Sequence, residues 1–216
     1  SAIEDLGYNV ATHGQKTYNG VAILSKYPLD DISRGLPGDD SDDHARYIVA
    51  VVTANGAVLR VASIYLPNGN PIDTAKFDYK LRWMDRLIDH AYRLLAYEEP
   101  LVLAGDYNVI PRDNDVYSVK AMQDDALMQP ESRQGYRRML NDGWTDALGV
   151  THPAGNIWTY WDYRSGGWQR DQGFRIDHLL LSPLAADALK SCGVDKEHRG
   201  REKASDHTPA WVDLNI

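Results

Sequence analysis

The amino-acid sequence predicts an α/β domain in which β-sheets pack against each other and helices lie outside. Short β-rich runs alternate with helical stretches along the chain, which is typical of layered α/β proteins. An Asn-Gly pair lies between two runs of β-branched residues, and a hairpin there would bring antiparallel pairing into the sheet. A long amphipathic stretch leads into a short, wholly apolar run, as expected for a helix followed by a buried strand.

The first half of the chain contains the predicted hairpin. Residues 21–25 form a β-rich run. Residues 47–52 and 58–64 flank Asn55-Gly56, and this dipeptide between β-branched runs is the strongest short-range hairpin signal. The segment 38–43, Gly-Asp-Asp-Ser-Asp-Asp, is predicted to be a solvated turn. The alternative, a loop that binds a divalent cation, is less favoured because the calcium-loop spacing of ligands is missing.

The second half begins with a predicted helix from residue 75 to about residue 97, because apolar side chains recur there with a period of about 3.6 residues. These side chains are Phe77, Leu81, Met84, Leu87, Ile88, Ala91, Leu94 and Leu95. Residues 101–105 then predict a strand buried on both faces. Residues 176–181 and 209–214 are further strand candidates. Internal repeats and low-complexity linkers are missing, so we expect a single domain over residues 1–216.

Composition and charge exclude several classes of protein. The 216 residues are 43% hydrophobic and 25% charged, which is ordinary for a globular domain. The net charge of −8 argues against a histone-like nucleic-acid binder, but a local basic face can lie on an acidic body. A single cysteine, Cys192, excludes a disulfide framework and a thiolate metal site. Apolar runs fall short of the roughly 18 residues that a membrane span needs, and residues 1–6 do not resemble a signal peptide. We therefore expect a cytoplasmic protein.

Two polar residues follow the apolar run at 101–105. Asp106 and Asn108 are two positions apart, so in an extended chain their side chains point to the same side. Carboxylate and amide oxygens are ligands that Mg²⁺ and Mn²⁺ prefer. The same residues before Pro111 are also good turn formers, and the pattern alone leaves both readings open.

Two acidic residues and a histidine accompany the last strands. Asp177 lies in an apolar strand candidate, where a carboxylate needs a partner. Asp206 and His207 precede the final strand. If Asp177 lies beside His207, it favours the imidazolium form, which can stabilise charge on a phosphate oxygen. Capping and ion pairing, or a structural hydrogen bond, are the alternatives for these residues.

Other hydrolytic chemistries lack their motifs. The sequence contains no Gly-x-Ser-x-Gly elbow and no Gly-x-x-x-x-Gly-Lys phosphate loop. Cys192 is far from any histidine-containing motif and is expected to be a small core residue.

Taken together, several segments resemble one family, the exonuclease III-type apurinic/apyrimidinic endonucleases of the endonuclease/exonuclease/phosphatase superfamily. The segments, in the order of the family, are 18–25, 63–69, Gly-Asp-Tyr-Asn-Val-Ile-Pro at 105–111, Trp-Asp-Tyr-Arg-Ser at 161–165 with Gly-Phe-Arg-Ile-Asp at 173–177, and Ser-Asp-His-Thr-Pro at 205–209. The resemblance covers nearly the whole chain. It implies a four-layer α/β sandwich of two mixed sheets flanked by helices, with the site at one end of the sheets.

Two motifs of the family are missing. The family begins with a strand that carries Trp-Asn and a second strand whose Gln-Glu supplies the principal metal ligand. Glu4 is the only glutamate in the first 90 residues. The resemblance therefore implies a chain that lacks the first two strands and the principal glutamate ligand.

The resemblance also implies roles for individual residues. Asp106 would activate the attacking water, Asn108 would orient it at the phosphate, and His207 paired with Asp177 would bind the phosphate. Tyr65 would lie close to the scissile phosphate. The metal, Mg²⁺ or Mn²⁺, would be held by Asp206, Asp106 and Asn108.

The implied activity is DNA repair by hydrolysis of phosphodiester bonds 5′ to abasic sites, with 3′→5′ exonuclease activity on duplex DNA. The expected partner is double-stranded DNA with abasic sites or 3′ ends, bound by a monomer.

An extruded abasic sugar needs a small apolar pocket. The candidates for this pocket are Tyr160, Trp161, Phe174 and Ile176, and the alternative is that they are ordinary core residues. Candidate contacts to the DNA backbone, or else ordinary surface residues, are Arg164, Tyr18, Lys76 and Lys80.

Two other functions stay open at the level of sequence. A phosphatase or a phospholipid phosphodiesterase of the same superfamily would share the chemistry of Asp106, Asn108 and His207. A catalytically silent DNA-binding fragment would be explained by the missing glutamate.

Overall fold

The structure is a computed structural model that describes residues 2–216, apart from the side chain of Ser165. Its strands are β1 (Asn9–His13), β2 (Val21–Ser25), β3 (Leu29–Arg34), β4 (Tyr47–Ala54), β5 (Ala57–Tyr65), β6 (Leu101–Asp106), β7 (Thr145–Asp146), β8 (Asp177–Leu181), β9 (Leu189–Val194) and β10 (Ala210–Leu214). Its α-helices are α1 (Ala75–Leu95), α2 (Val119–Met122), α3 (Pro130–Asn141), α4 (Ala147–Thr151) and α5 (Pro183–Asp187).

A six-stranded sheet forms the centre of the molecule, in the order β3-β4-β5-β6-β8-β7. Strands β5 and β6 are parallel, whereas the other neighbours are antiparallel, so the sheet is mixed as predicted. The predicted hairpin joins β4 to β5, with Ala54 opposite Ala57. Asn55 and Gly56 both have positive φ, 53° and 87°, as a tight two-residue hairpin turn requires.

The helices α1 and α3 cover one face of this sheet. The N-terminus of α1 is capped by Thr74, whose side chain accepts a hydrogen bond from the backbone N–H of Lys76, and such caps stabilise a helix by about 1 kcal/mol. The apolar stripe predicted for this helix packs on the sheet. The core cluster between helices and sheet includes Trp83, Met84, Leu87, Tyr136 and Met139 from the helices and Val49, Ala62, Ile64, Leu103 and Leu180 from the sheet.

Two antiparallel ribbons, β1–β2 and β9–β10, cover the opposite face. The first ribbon buries Ala11, Val21 and Ile23 against β4. The second packs partly buried residues such as Val212 and Leu214 against β6 and β8. The predicted α/β class with packed sheets and flanking helices is thus confirmed. Within residues 2–216, the second β layer consists of two separate ribbons. Both long helices lie on one face of the central sheet, whereas residues of the short helices α4 and α5 pack in the cluster of the β9–β10 ribbon.

The strand register places three side-chain positions in a row at one end of the central sheet. Tyr65 at the end of β5 pairs with Asp106 at the end of β6, and Asp106 pairs with Asp177 at the start of β8. The antiparallel direction of β8 brings its first residue to the same edge as the last residues of β5 and β6. This edge therefore collects polar residues from separate parts of the chain.

Outside this edge, the acidic segment 38–43 forms turns, as predicted. Asp42 accepts a hydrogen bond from the hydroxyl of Tyr79 at 2.9 Å and pairs with Arg86 at 2.7 Å. Both partners belong to α1, so the segment is tied to this helix. Among residues 2–216, no helix has both the length and the apolar character needed to cross a bilayer.

Candidate active site

The backbone that carries Asp106 makes a close approach to the neighbouring strand. Gly105 has a φ of 146°, and a Cβ at this position would lie 2.0 Å from the carbonyl oxygen of Ile64. Only glycine fits this position without a shift of the backbone. Asn108 also has a positive φ, 47°. The chain thus turns sharply after β6, and this turn brings Asn108 back towards Asp106.

Asn108 donates two hydrogen bonds to the Asp106 carboxylate. Its backbone N–H bonds Oδ1 at 2.9 Å and its side-chain Nδ2 bonds Oδ2 at 3.0 Å. The same Nδ2 donates to the carbonyl oxygen of Leu66 at 2.9 Å. Because a carbonyl oxygen accepts only, this contact fixes which end of the amide is nitrogen. Both hydrogens of Nδ2 are therefore in use, and Oδ1 is the atom left for other partners.

A chain of amides continues from Asn108 along one side of the site. Asn68 donates through Nδ2 to Oδ1 of Asn108 at 2.9 Å, and Asn70 donates through Nδ2 to Oδ1 of Asn68 at 2.9 Å. Asn70 also donates to Asp125 at 3.0 Å and accepts a bond from the backbone N–H of Ala126. The network joins the segment after β5, the segment after β6 and the segment after α2.

The Asp106 carboxyl is less acidic than an ordinary aspartate. Burial and the negative charge of Asp177 raise its pKa to about 7, against the opposing effects of His207, the Asn108 backbone N–H and Lys80. A carboxyl with a pKa near neutrality can take up and release a proton during turnover, as a general base requires.

His207 forms an ion pair with Asp177, the pairing that the family resemblance implies. Its Nδ1 lies 2.9 Å from Oδ2 of Asp177. Burial lowers the pKa of His207, but the hydrogen bond and the charge of Asp177, with Asp106 and Asp206, outweigh this and raise it to about 9. The ring is thus an imidazolium at neutral pH, with Nδ1–H donating to Asp177. The ring of Tyr160 contacts it edge to face, with centroids 5.0 Å apart.

A cavity of about 810 Å³ lies over these groups. Its lining comprises Tyr65, Asn68, Asn70, Asp106, Asn108, Tyr117, Met122, Asp125, Leu127, Tyr160, Asp162, Arg164, Gly167, Arg170, Gln172, Phe174, Ile176, Asp206 and His207. One part is apolar, with Phe174, Ile176, Leu127 and Met122 in a common cluster. The cavity therefore combines acid–base groups with an apolar wall, which is the usual composition of a ligand site.

The structure brings most of the predicted site residues together. The cavity contains Asp106, Asn108, His207, Tyr65 and Asp206, as well as Tyr160, Phe174, Ile176 and Arg164. Asp177 lies behind His207 and lines a smaller neighbouring cavity of about 290 Å³. The predicted pocket residues Phe174 and Ile176 belong both to the core and to the cavity wall. They are therefore core residues and cavity-lining residues at the same time.

Two of the predicted substrate-binding residues are buried outside the cavity lining. Lys80 cannot contact a DNA backbone, because it has 0% exposure and its Nζ donates to the carbonyl oxygens of Asn68 and Asn108. Burial lowers its pKa to about 7. Trp161 is also fully buried and donates through its indole nitrogen to Asp171 at 3.0 Å, so it supports the cavity from behind and does not line it.

Two other predicted backbone contacts lie on the surface and outside the cavity lining. Tyr18 is 81% exposed and Lys76 is exposed at the start of α1. Their role stays a prediction.

Sequence reasoning missed a buried ionic cluster beneath the apolar wall. Arg175 has 0% exposure. It pairs with Asp115 at 3.0 Å and with Asp146 at 2.9 Å, and its Nη1 lies 3.0 Å from Nδ1 of His178. The other ring nitrogen of His178 lies 2.9 Å from the carbonyl oxygen of Val109. Arg175 stands between Phe174 and Ile176, in a segment already singled out for its motif, but a single arginine in a motif does not reveal its burial.

The cavity offers oxygen ligands but no complete cluster of ionisable metal ligands. Asp106 and Asp206 line it, and Oδ1 of Asn108 retains a lone pair beside its bond to Asn68. Within residues 2–216, no group of three or more His, Cys, Asp or Glu side chains is arranged to hold a metal ion. The donor chemistry suits a hard divalent cation, and these residues form a partial ligand set.

The chain is similar to a known protein family and to several curated and structurally solved proteins. Residues 2–207 match the model of the endonuclease/exonuclease/phosphatase family. The chain is 33% identical to exodeoxyribonuclease III of Haemophilus influenzae, over 98% of this chain and 82% of that protein. Its structure is similar to a 3′ phosphatase from Neisseria bound to a product DNA hairpin, with a TM-score of 0.95, 37% identity, and coverage of 100% of this chain and 82% of the other. It is also similar to an AP endonuclease from Archaeoglobus fulgidus, with a TM-score of 0.92, 33% identity, and coverage of 99% and 82%. The chain therefore belongs to the endonuclease/exonuclease/phosphatase family, as the resemblance to exonuclease III-type enzymes predicted.

Proposed function

We propose that this protein is a DNA repair nuclease that hydrolyses phosphodiester bonds 5′ to abasic sites and removes nucleotides from 3′ ends of duplex DNA. The observation that carries the proposal is the convergence of Asp106 and the His207–Asp177 pair on one cavity with an apolar aromatic wall. The names of the relatives, which include exonucleases and AP endonucleases, support the same reaction class.

In the proposed reaction, Asp106 accepts a proton from the attacking water. The two hydrogen bonds from Asn108 hold its carboxylate in one orientation. Because both hydrogens of the Asn108 side chain are in use, we propose that Asn108 acts on the water through Oδ1 or through the orientation of Asp106.

His207 supplies positive charge at the phosphate. Its Nδ1–H is directed at Asp177, which leaves Nε2–H to donate to a non-bridging phosphate oxygen. A donor placed where charge develops stabilises the transition state. Tyr65, which lies beside Asp106 across the strands, is proposed to contact the same phosphate.

A divalent cation, Mg²⁺ or Mn²⁺, is part of the proposal. When bound, it would stabilise negative charge on the phosphate and on the leaving 3′ oxygen. Asp206, Asp106 and Oδ1 of Asn108 are the groups proposed to hold it.

Substrate selection is proposed to rest on the apolar wall. An abasic sugar offers no base edge to recognise. A small apolar pocket that does not fit a nucleotide with its base can therefore distinguish it. Tyr160, Phe174 and Ile176 are the proposed pocket residues, and Arg164 at the rim is proposed to contact the backbone. Binding by a monomer and a cytoplasmic location stay predictions.

The test is cleavage of three labelled duplexes by the purified chain with Mg²⁺: one with an abasic site, one with a recessed 3′ end and one with a 3′ phosphate. The third is included because a structural relative is a 3′ phosphatase. Asp106→Asn should reduce turnover by roughly 10² to 10⁴, the usual contribution of a general base, while the Kd for DNA changes little. Asp187→Asn, the same change at an exposed position beyond the cavity, is the matched control and should keep wild-type turnover.

Near-normal turnover of Asp106→Asn would refute the role of Asp106. DNA binding without cleavage of any duplex at any Mg²⁺ or Mn²⁺ concentration would refute the proposed activity and favour a silent DNA-binding protein. Cleavage of an inositol phosphate or a phospholipid in preference to DNA would favour the other members of the superfamily.

A further inference from the structure

Lys80 is an ionisable residue on the buried face of α1. It lies one helical turn before Met84 and two turns before Leu87, both buried in the main core, and Lys80 itself has 0% exposure. No carboxylate of the described residues forms a salt bridge within 4.0 Å of its Nζ. A buried lysine without a direct ion pair is uncommon, and its contacts therefore call for an explanation.

The side-chain amine of Lys80 binds two backbone carbonyls of the candidate active site. Nζ donates to the carbonyl oxygen of Asn68 at 3.0 Å and to that of Asn108. The side chains of these two asparagines bond each other at 2.9 Å. Asn68 and Asn108 are thus joined twice, once through their amides at the cavity and once through Lys80 beneath it.

Gly69 makes room for this arrangement. A Cβ at Gly69 would lie 2.6 Å from Cδ and 3.2 Å from Cβ of Lys80. The lysine stem therefore passes directly under the turn that follows β5. The φ of Gly69, 89°, also lies in the region that favours glycine. Two independent observations therefore indicate that Lys80 supports this turn. They are its hydrogen bonds to the carbonyl oxygens and its close approach to Gly69.

The position of Asn108 matters because Asn108 orients the Asp106 carboxylate. Its backbone N–H and side-chain Nδ2 both bond Asp106. Loss of the lysine would leave the carbonyl of Asn108 without this donor, and the turn could then move with its side chain. We propose that Lys80 is a positioning residue. It holds Asn108 and Asn68 at fixed positions relative to each other, so that Asp106 and Oδ1 of Asn108 face the cavity. This inference rests on the proposed function of the same site.

The first test compares Lys80→Met and Lys80→Arg. Methionine keeps the apolar stem and removes the donors, whereas arginine keeps charge and donors. A misplacement of about 1 Å can cost roughly 10²-fold in rate, so we expect Lys80→Met to lower kcat by about that factor with little change in KM. Lys80→Arg should recover part of the loss. Lys190→Met, at a position whose side chain is 68% exposed on β9, is the matched control and should keep wild-type kcat.

The second test does not depend on activity. The side-chain NH₂ of Asn108, assigned by NMR with an Asn108→Asp variant, should exchange slowly with water in the wild-type chain, because both hydrogens are bonded. Exchange should become faster in Lys80→Met and stay slow in Lys190→Met. If Lys80→Met does not fold, a hydrogen-bond coupling between Nζ of Lys80 and the carbonyl carbon of Asn108 decides the question in the wild-type chain.

A folded Lys80→Met variant with unchanged kcat and unchanged Asn108 exchange would overturn the proposal, and so would the lack of the Lys80–Asn108 coupling in the wild-type chain. If the wild-type chain cleaves no DNA, the proposed function fails. The exchange measurement still decides the positioning role, and the two failures are thereby distinguished.

Discussion

Replacement of Arg175 by methionine should destabilise the protein severely, because it leaves buried carboxylates behind. Arg175 is fully buried and contacts both oxygens of Asp146 at 3.0 and 2.9 Å and those of Asp115 at 3.0 Å. Breaking a buried ion pair by removing one partner costs about 3–5 kcal/mol. We expect a loss of this size in the free energy of unfolding.

The loss should come mainly from Asp146. Asp115 keeps a second cation, Arg112, whose guanidinium lies 2.9 and 3.0 Å from its two oxygens. Asp146 keeps the backbone N–H of Gly149 as a donor at 3.0 Å, but within residues 2–216 no second lysine or arginine forms a salt bridge with it. A double variant, Arg175→Met with Asp146→Asn, removes the uncompensated charge and should recover most of the stability. Arg175→Met with Asp115→Asn should recover much less.

The assay is urea unfolding followed by tryptophan fluorescence, with double-mutant cycles for the two pairs. A larger coupling energy for Arg175–Asp115 than for Arg175–Asp146 would refute the reasoning, and so would a loss below about 1 kcal/mol for Arg175→Met, which is no more than an ordinary point mutation.

The remaining predictions concern strain, pH and salt. Gly105→Ala should lower the free energy of unfolding by at least about 2 kcal/mol in urea titrations, since its Cβ would overlap the carbonyl oxygen of Ile64; an unchanged midpoint would contradict the close approach of β6 to β5. The pH profile of kcat/KM should rise through about 7, as Asp106 ionises, and fall above about 9, as His207 loses its proton; a profile flat across this range would argue against both roles. Because the pKa of His207 is raised on folding, its contribution to stability should be full below pH 6.5 and lost as the pH passes about 9, and His207→Ala should remove that dependence. DNA binding should weaken steeply with salt, and Arg164→Ala should reduce the slope; an identical slope would exclude a phosphate contact by Arg164.

Much of the fold follows from short-range patterns. The Asn55-Gly56 turn and the amphipathic stripe of α1 depend on a few adjacent residues, and both are predictable with nearly the observed boundaries. The pairing of Asp177 with His207 joins residues 30 positions apart, and only the resemblance to a family makes it predictable. The separation of the second β layer into two ribbons depends on long-range pairing, about which local patterns carry no information.

The wrong prediction for Lys80 has a simple cause, which is that it uses residue type in place of position. Lysine is a surface residue by default, but Lys80 lies three residues after Phe77 and four before Met84, in phase with the apolar stripe. A helical wheel places it on the buried face. For Trp161 and Arg175, no comparable local signal exists, because irregular segments hold them and their burial depends on distant partners.

The tip of the β4–β5 hairpin has a practical use. Strand β5 has nine residues from Ala57 to Tyr65, which at about 3.3 Å per residue is roughly 30 Å. Since Tyr65 marks the cavity end of the strand, Asn55-Gly56 lies at the far end of the sheet. Exposed turns of this kind accept foreign sequence well. A fluorescent dye or a surface tether attached there would allow single DNA molecules to be watched during digestion without obstruction of the catalytic face.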